Sequence, residues 1–255
     1  MYFGKTLRSS INKSLTPIFT IFTLLTFSSG AHAAEAGKQI TFMDILLHPS
    51  AEAVVLWILI AASIAMLTWI IELFIKLRKD KLAPPAVIAL LRDAIASGNY
   101  QMAYEVCVAN PSFLSNIMQA AFENIGLGKH GVEEAMNENF AKQAVRLKSR
   151  NNYLSVIGVT APMIGLTGTV LGMMKAFAVL GQSGVANMTG LSSAISEVLI
   201  ATASGLGVAI PAFIFFYYFK NAMTTAFADV HAEAKTLLRP IPFDQLQGYG
   251  VDRKR

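Results

Sequence analysis

Three apolar stretches constrain this chain more than any other feature: Ala53–Ile75, Asn151–Leu180 and Leu191–Phe219. Each exceeds the roughly 20 residues a helix needs to cross a bilayer core of about 30 Å. Each holds one strongly charged residue, namely Glu72, Lys175 and Glu197. In lipid only helices and closed barrels satisfy their backbone groups, and these runs lack the two-residue alternation of barrel strands. The expected fold is an all-α membrane protein with three transmembrane helices. Charged residues make up 15% of the chain, against about 25% in an ordinary soluble domain. That balance argues against a free-standing soluble enzyme and excludes intrinsic disorder. The single cysteine, Cys107, rules out a disulfide framework and a Cys-rich zinc site.

The first 33 residues read as a secretory signal. Lys5, Arg8 and Lys13 form a basic start, Ile18–Phe27 a short apolar run, and Ala31-His32-Ala33 a small-x-small cleavage site. Residues 34–52 follow as a periplasmic lead. Lys76, Arg78, Lys79 and Lys81 come after the first span, Lys142, Arg146, Lys148 and Arg150 before the second, and Lys220, Lys235 and Arg239 after the third. The opposite side offers only Lys38, and the turn Gly181–Gly190 carries no charge. The bias of Lys and Arg predicts the N-terminus outside and the C-terminus in the cytoplasm of a multi-pass protein. The net charge of +5 therefore reflects topology and attraction to anionic membrane lipids, with no nucleic-acid partner.

Residues 76–150 then form a cytoplasmic helical domain, and 220–255 a cytoplasmic tail. Pro84-Pro85 opens one helix and Gly98-Asn99 closes it, Asn110-Pro111 punctuates a second pair, and Gly126–Gly131 reads as a turn. From Val132 nothing interrupts the helical pattern. Acids Glu133, Glu134 and Glu138 precede bases Lys142 and Arg146 at supportive spacings. One helix is expected to run through this segment into the second span (53–75, 151–180 and 191–219 being the three spans), a rod that calls for neighbouring subunits.

Ionisable groups inside a membrane are costly and mark function by default. In an antiparallel hairpin of the second and third spans, Lys175 faces the level of Glu197, and Thr169 the level of Thr202. Lys175 either pairs with Glu197 or extends its stem outward. Glu197 is too short to do so; it pairs, faces a wet cavity, or stays protonated through desolvation. Intramembrane threonines commonly bond the preceding turn. Small residues mark helix packing: Gly158, Gly165 and Gly172 recur every seven with Gly168 interleaved, while Ala201, Gly205 and Ala209 follow small-xxx-small spacing. Glu197, Ala201, Ser204 and Val208 share a helix face, which makes Ser204 a possible auxiliary. Catalysis finds no motif: Ser204 lacks an intramembrane histidine in these spans, and no Walker loop, metal-ligand cluster or cofactor signature occurs.

The run from Ala161 to Phe177 (APMIGLTGTVLGMMKAF), followed by Ile195 to Pro211 (ISEVLIATASGLGVAIP), resembles the MotA/TolQ/ExbB proton channel family, and within it the ExbB branch. The resemblance extends over roughly Val54–Asp229. It implies a three-span subunit of the bacterial inner membrane, pentameric around a dimer of an ExbD-like single-span partner; proton flow through the complex would drive a TonB-like protein and TonB-dependent transport across the outer membrane. It further implies that Glu197 is the membrane glutamate and that Thr169 and Thr202 are the pore threonines. Two alternatives stay open: a TolQ-like subunit serving envelope maintenance, and a non-conducting scaffold in which Glu197 merely pairs with Lys175.

Overall fold

Two very long helices dominate the structure, a computed structural model that describes residues 51–183 and 188–251. The expected signal sequence and most of the periplasmic lead lie outside the described residues. Helix α1 spans Ala51–Lys76, and a four-residue helix α2 spans Lys79–Leu82. Helices α3 (Pro85–Ala96), α4 (Tyr100–Ala109) and α5 (Phe113–Glu123) follow, then a 3₁₀ turn at Ile125–Leu127. Helix α6 covers Gly128–Ser183 and α7 covers Met188–Leu238, with a last 3₁₀ turn at Phe243–Gln245. No strand occurs among the described residues. Three of the helices are long and apolar enough to cross a membrane.

Local chemistry explains the boundaries. Pro85 occupies the first position of α3, where its missing N–H costs nothing. Gly98 leaves that helix with φ 73°, a conformation that glycine adopts without a side-chain penalty. Asn99 caps α4 by accepting the Met102 amide at 3.0 Å, and Ser112 caps α5 by accepting the Ser115 amide at 3.0 Å. The Gly126–Gly131 segment is a turn only in its first half, because α6 already starts at Gly128.

Helix α6 runs unbroken for 56 residues, about 84 Å at 1.5 Å per residue. Helix α7 matches it, passing straight through the expected end of the third span to Leu238. The reason is a buried stripe at helical spacing: Phe219, Met223, Ala226, Phe227, Val230, Ala234 and Leu237. Pro240 and Pro242 stop it. Against these rods the short helices bury Leu91, Leu114, Ile117, Met118 and Phe122. Phe113 stacks on Phe227 at 5.2 Å. Cys107 belongs to this core; burial pushes its thiol up to about 12, so it is an inert packing group.

The C-terminal segment folds back as a strap. Ile241 and Phe243 are buried, the Gly248 amide donates to the Gly126 carbonyl at 3.1 Å, and Tyr249 sets its ring edge on Tyr100. A Cβ on Gly126 strikes the Tyr249 backbone. Gly126→Val is therefore expected to eject the strap at a cost of about 1–3 kcal/mol, the usual range for overpacking. Limited proteolysis beyond Leu238 checks this: unchanged resistance to cleavage counts against the strap.

Candidate functional site

The α6–α7 seam is built from the small residues. A Cβ on Gly205 lands 2.7 Å from the Ala161 carbonyl, and one on Gly165 lands 2.9 Å from the Ala201 carbonyl. Gly168 faces Ala201 and Val55 of α1 at 2.9 and 3.1 Å by the same measure, and Gly158 faces the Phe213 ring at 3.0 Å. Gly158, Gly165, Gly168, Ala201 and Gly205 thus meet in one antiparallel interface. Gly172 is buried on the same helix. Backbones this close leave no room for water or a side chain between them, so this seam is dry.

The register follows from those contacts. Gly165 lies against Gly205; Thr169 is four residues further toward the turn on α6, and Thr202 three residues further on α7. They share one level to within about 1.5 Å of rise. Their hydroxyls differ sharply. Thr169 Oγ1 donates to the Leu166 carbonyl at 2.6 Å, and Thr160 and Thr167 likewise bond the preceding turn at 2.9 Å. Thr202 Oγ1 is buried without a protein hydrogen-bond partner. An unsatisfied hydroxyl in an apolar setting costs about 1–3 kcal/mol, so this group stands ready for a donor or acceptor that the described residues do not supply.

Glu197 lies in α7 five residues, about 7.5 Å, nearer the turn than Thr202; its side chain is outside the described residues. The expected choice between a Lys175–Glu197 pair and an outward Lys175 falls there too. Lys175 is exposed on α6, and Ser204 is half-buried on α7. Both long helices also expose large apolar side chains: Leu166, Val170, Met174 and Phe177 on α6, and Leu199, Leu206, Ile210 and Ile214 on α7. These faces need lipid or another protein to cover them. Among the described residues no cluster of His, Cys, Asp and Glu suited to a metal occurs.

Sequence reasoning missed a second polar cluster at the basic end of the spans. Glu72 of α1 accepts from Lys76 at 2.5 Å and from Arg150 of α6. Asn151 is buried and its Nδ2 donates to the Phe216 carbonyl of α7 at 3.2 Å. Trp69 of α1 stacks on Tyr153 at 4.9 Å, and Phe74 sets its edge on Phe219 at 4.9 Å. In the sequence, Asn151 is only the residue after a basic run.

With this geometry in view, comparison with known proteins is specific. The MotA/TolQ/ExbB proton channel family matches residues 109–231. "Biopolymer transport protein ExbB" of Xanthomonas campestris pv. campestris strain B100 is 27% identical over 229 residues, covering 81% of this chain and 90% of that protein. ExbB of Pseudomonas putida is 29% identical over 205 residues, 75% of this chain and 61% of that protein. "Tol-Pal system protein TolQ" of Pseudomonas aeruginosa is 39% identical over 84 residues, 33% of this chain and 36% of that protein. Three apolar helices together with these relatives make it a multi-pass inner-membrane protein, a proton-channel motor subunit from a family of transport components and not of known enzymes. Residues 109–231 match the MotA/TolQ/ExbB proton channel family, and the chain is ExbB-like over most of its length.

Proposed function

We propose that this chain is the ExbB-like subunit of a motor driven by the proton-motive force. With an ExbD-like single-span partner it energises a TonB-like protein and so TonB-dependent transport across the outer membrane. The spans are 53–75, 151–180 and 191–219, with the N-terminus periplasmic and the C-terminus cytoplasmic, as the Lys and Arg bias requires. Several copies, a pentamer by resemblance to the family, surround the partner with the exposed apolar faces of α6 and α7. Protons enter from outside, meet Glu197 and a partner carboxylate near Thr169 and Thr202, and leave to the cytoplasm. Each charge crossing 100 mV releases about 2.3 kcal/mol, enough to turn or shift the partner by a step.

The observation that carries this reading is the buried, unpartnered Thr202 hydroxyl beside the level of an intramembrane acid. The dry Gly/Ala seam offers protons no route inside one subunit, so the path runs along its open side, and the half-buried Thr202 brings its buried hydroxyl to that path by a change of rotamer. Thr202→Val keeps the shape and removes the orphan oxygen. It is expected to raise hairpin stability by about 1 kcal/mol, because an unsatisfied buried group is removed, while lowering proton flux. Melting in detergent and flux in vesicles check the pair of signs; loss of both properties together points to a packing role only.

A TolQ-like role in envelope maintenance is supported by the TolQ match over 84 residues. Deleting the chain separates the two. Loss of energy-dependent uptake through outer-membrane transporters supports the TonB reading, whereas leakage and detergent sensitivity with normal uptake supports the Tol reading. A deletion strain normal in both respects overturns the motor assignment.

A further inference from the structure

Asn151 has no part in the proton pathway described above, yet its setting gives it one. Among the described residues of the three spans it is the one polar side chain buried outright, at 3% exposure. Its Nδ2 holds the Phe216 carbonyl across the seam, and its Oδ1 is buried without a protein partner. The residue before it, Arg150, reaches Glu72 of α1, and Tyr153 stacks on Trp69 of the same helix. Residues 150–153 therefore grip both neighbouring helices at one level.

Nearer the turn the seam has a different character. Gly165, Gly168, Ala201 and Gly205 bring the backbones together, but such contacts are non-directional dispersion and change little when one helix slides slightly along the other. A hydrogen bond is directional and weakens steeply off its axis. Pro211 interrupts the hydrogen-bond ladder of α7 between Thr202 and Phe216, so the part of α7 beyond the proline needs its own attachment to α6.

We propose that Asn151 is a positioning residue: its amide fixes α7 lengthwise against α6, and so sets the level of Thr202 and Glu197 against Thr169 for proton passage. The lever is long, since Phe216 stands 14 residues from Thr202, about 21 Å along one helix, and each helix carries one proline within it, Pro211 in α7 and Pro162 in α6. This assignment rests on the proton-motor reading above.

The test uses the full-length chain with its single-span partner in vesicles, in a Cys107→Ala background. Spin labels go on cysteines at Leu166 of α6 and Leu206 of α7, both solvent-facing in the isolated subunit. Asn151→Leu is expected to shift the label separation by at least one residue's rise, about 1.5 Å. Proton uptake should fall about tenfold, as slight misplacement of reacting groups does elsewhere. Asn151→Asp has the same shape and donates only when protonated, and burial raises a carboxyl's pKa. Its separation and uptake, each divided by the unsubstituted protein's value at the same pH, should match at about pH 5 and depart at about pH 8. That division removes titration of the neighbouring Glu72, Lys76 and Arg150. A role in packing alone leaves separation and uptake unchanged in Asn151→Leu, which fills the same space without the hydrogen bond.

Should Asn151→Leu fail to assemble, the Asp variant decides alone, because one preparation is compared with itself at two pH values. Unchanged separation and uptake in the Asp variant across that range overturn the proposal, as does a shifted separation with full uptake. Glu197→Gln is measured in parallel. If that variant conducts fully, the proton reading fails, while the label separations still report on the Asn151 bond.

Discussion

Glu197→Gln in vesicles holding this chain and its single-span partner is expected to cut proton uptake by about a hundredfold, the lower range for removing a group that carries a proton, with assembly intact. Gln has nearly the shape of a protonated Glu and can hydrogen-bond, but it cannot gain or lose a proton in this pH range. An acid in hydrocarbon is costly at any protonation state, and a purely structural role needs only its shape and its hydrogen bonds. The amide supplies both. The substitution therefore separates the motor from the scaffold alternative, in which Glu197 pairs with Lys175. A scaffold survives the exchange of those two residues for each other, and a proton carrier does not, because the acid then stands on the wrong helix. Retained uptake in the Gln variant, with normal assembly, removes the channel reading.

Much of this architecture is legible in the sequence because lipid leaves the backbone few choices. Three apolar runs with one charge apiece become three long apolar helices, and the repeats of Gly158, Gly165 and Gly172 announce a close seam before any contact is seen. The level of Thr169 against Thr202 also follows, since a short turn and a fixed rise determine an antiparallel register. The extension of α7 to Leu238 is less visible. Its apolar stripe from Phe219 to Leu237 is interleaved with Asp229, Glu233 and Lys235, so average hydropathy falls just where helical periodicity continues. The difference between the two threonines is not visible at all. Both occupy small, apolar surroundings, and which hydroxyl bonds its own turn depends on side-chain rotamer and helix rotation. Asn151 hides for the same reason, because its reach to Phe216 depends on which way α6 is turned at its basic end.

The packing of the hairpin gives the other large effect. Gly205→Val is expected to prevent the α6–α7 hairpin from closing, at a cost of about 3 kcal/mol or more, the upper end for overpacking. The new Cβ sits 2.7 Å from the Ala161 carbonyl and within 3.4 Å of Gly165 Cα and the Ala161 carbonyl carbon. These are backbone atoms in a continuous helix, so no rotamer change relieves them and one rod must move from the other. Separation also opens the packing at Gly165 and Gly168, because rigid helices cannot part at one point. Gly207→Val is the matched control: two residues away in the same helix, a Cβ there meets nothing within 4 Å. The added side chain displaces no neighbour, so helix propensity alone governs, and valine is a few tenths of a kcal/mol better than glycine. The measurements are midpoint of thermal unfolding in detergent and yield of assembled complex. Gly205→Val should lower both, and Gly207→Val should leave the midpoint level or slightly higher. If the two substitutions behave alike, loss of glycine and not the tightness of this seam is what matters, and the dry interface that diverts protons to the outer face of the hairpin loses its basis.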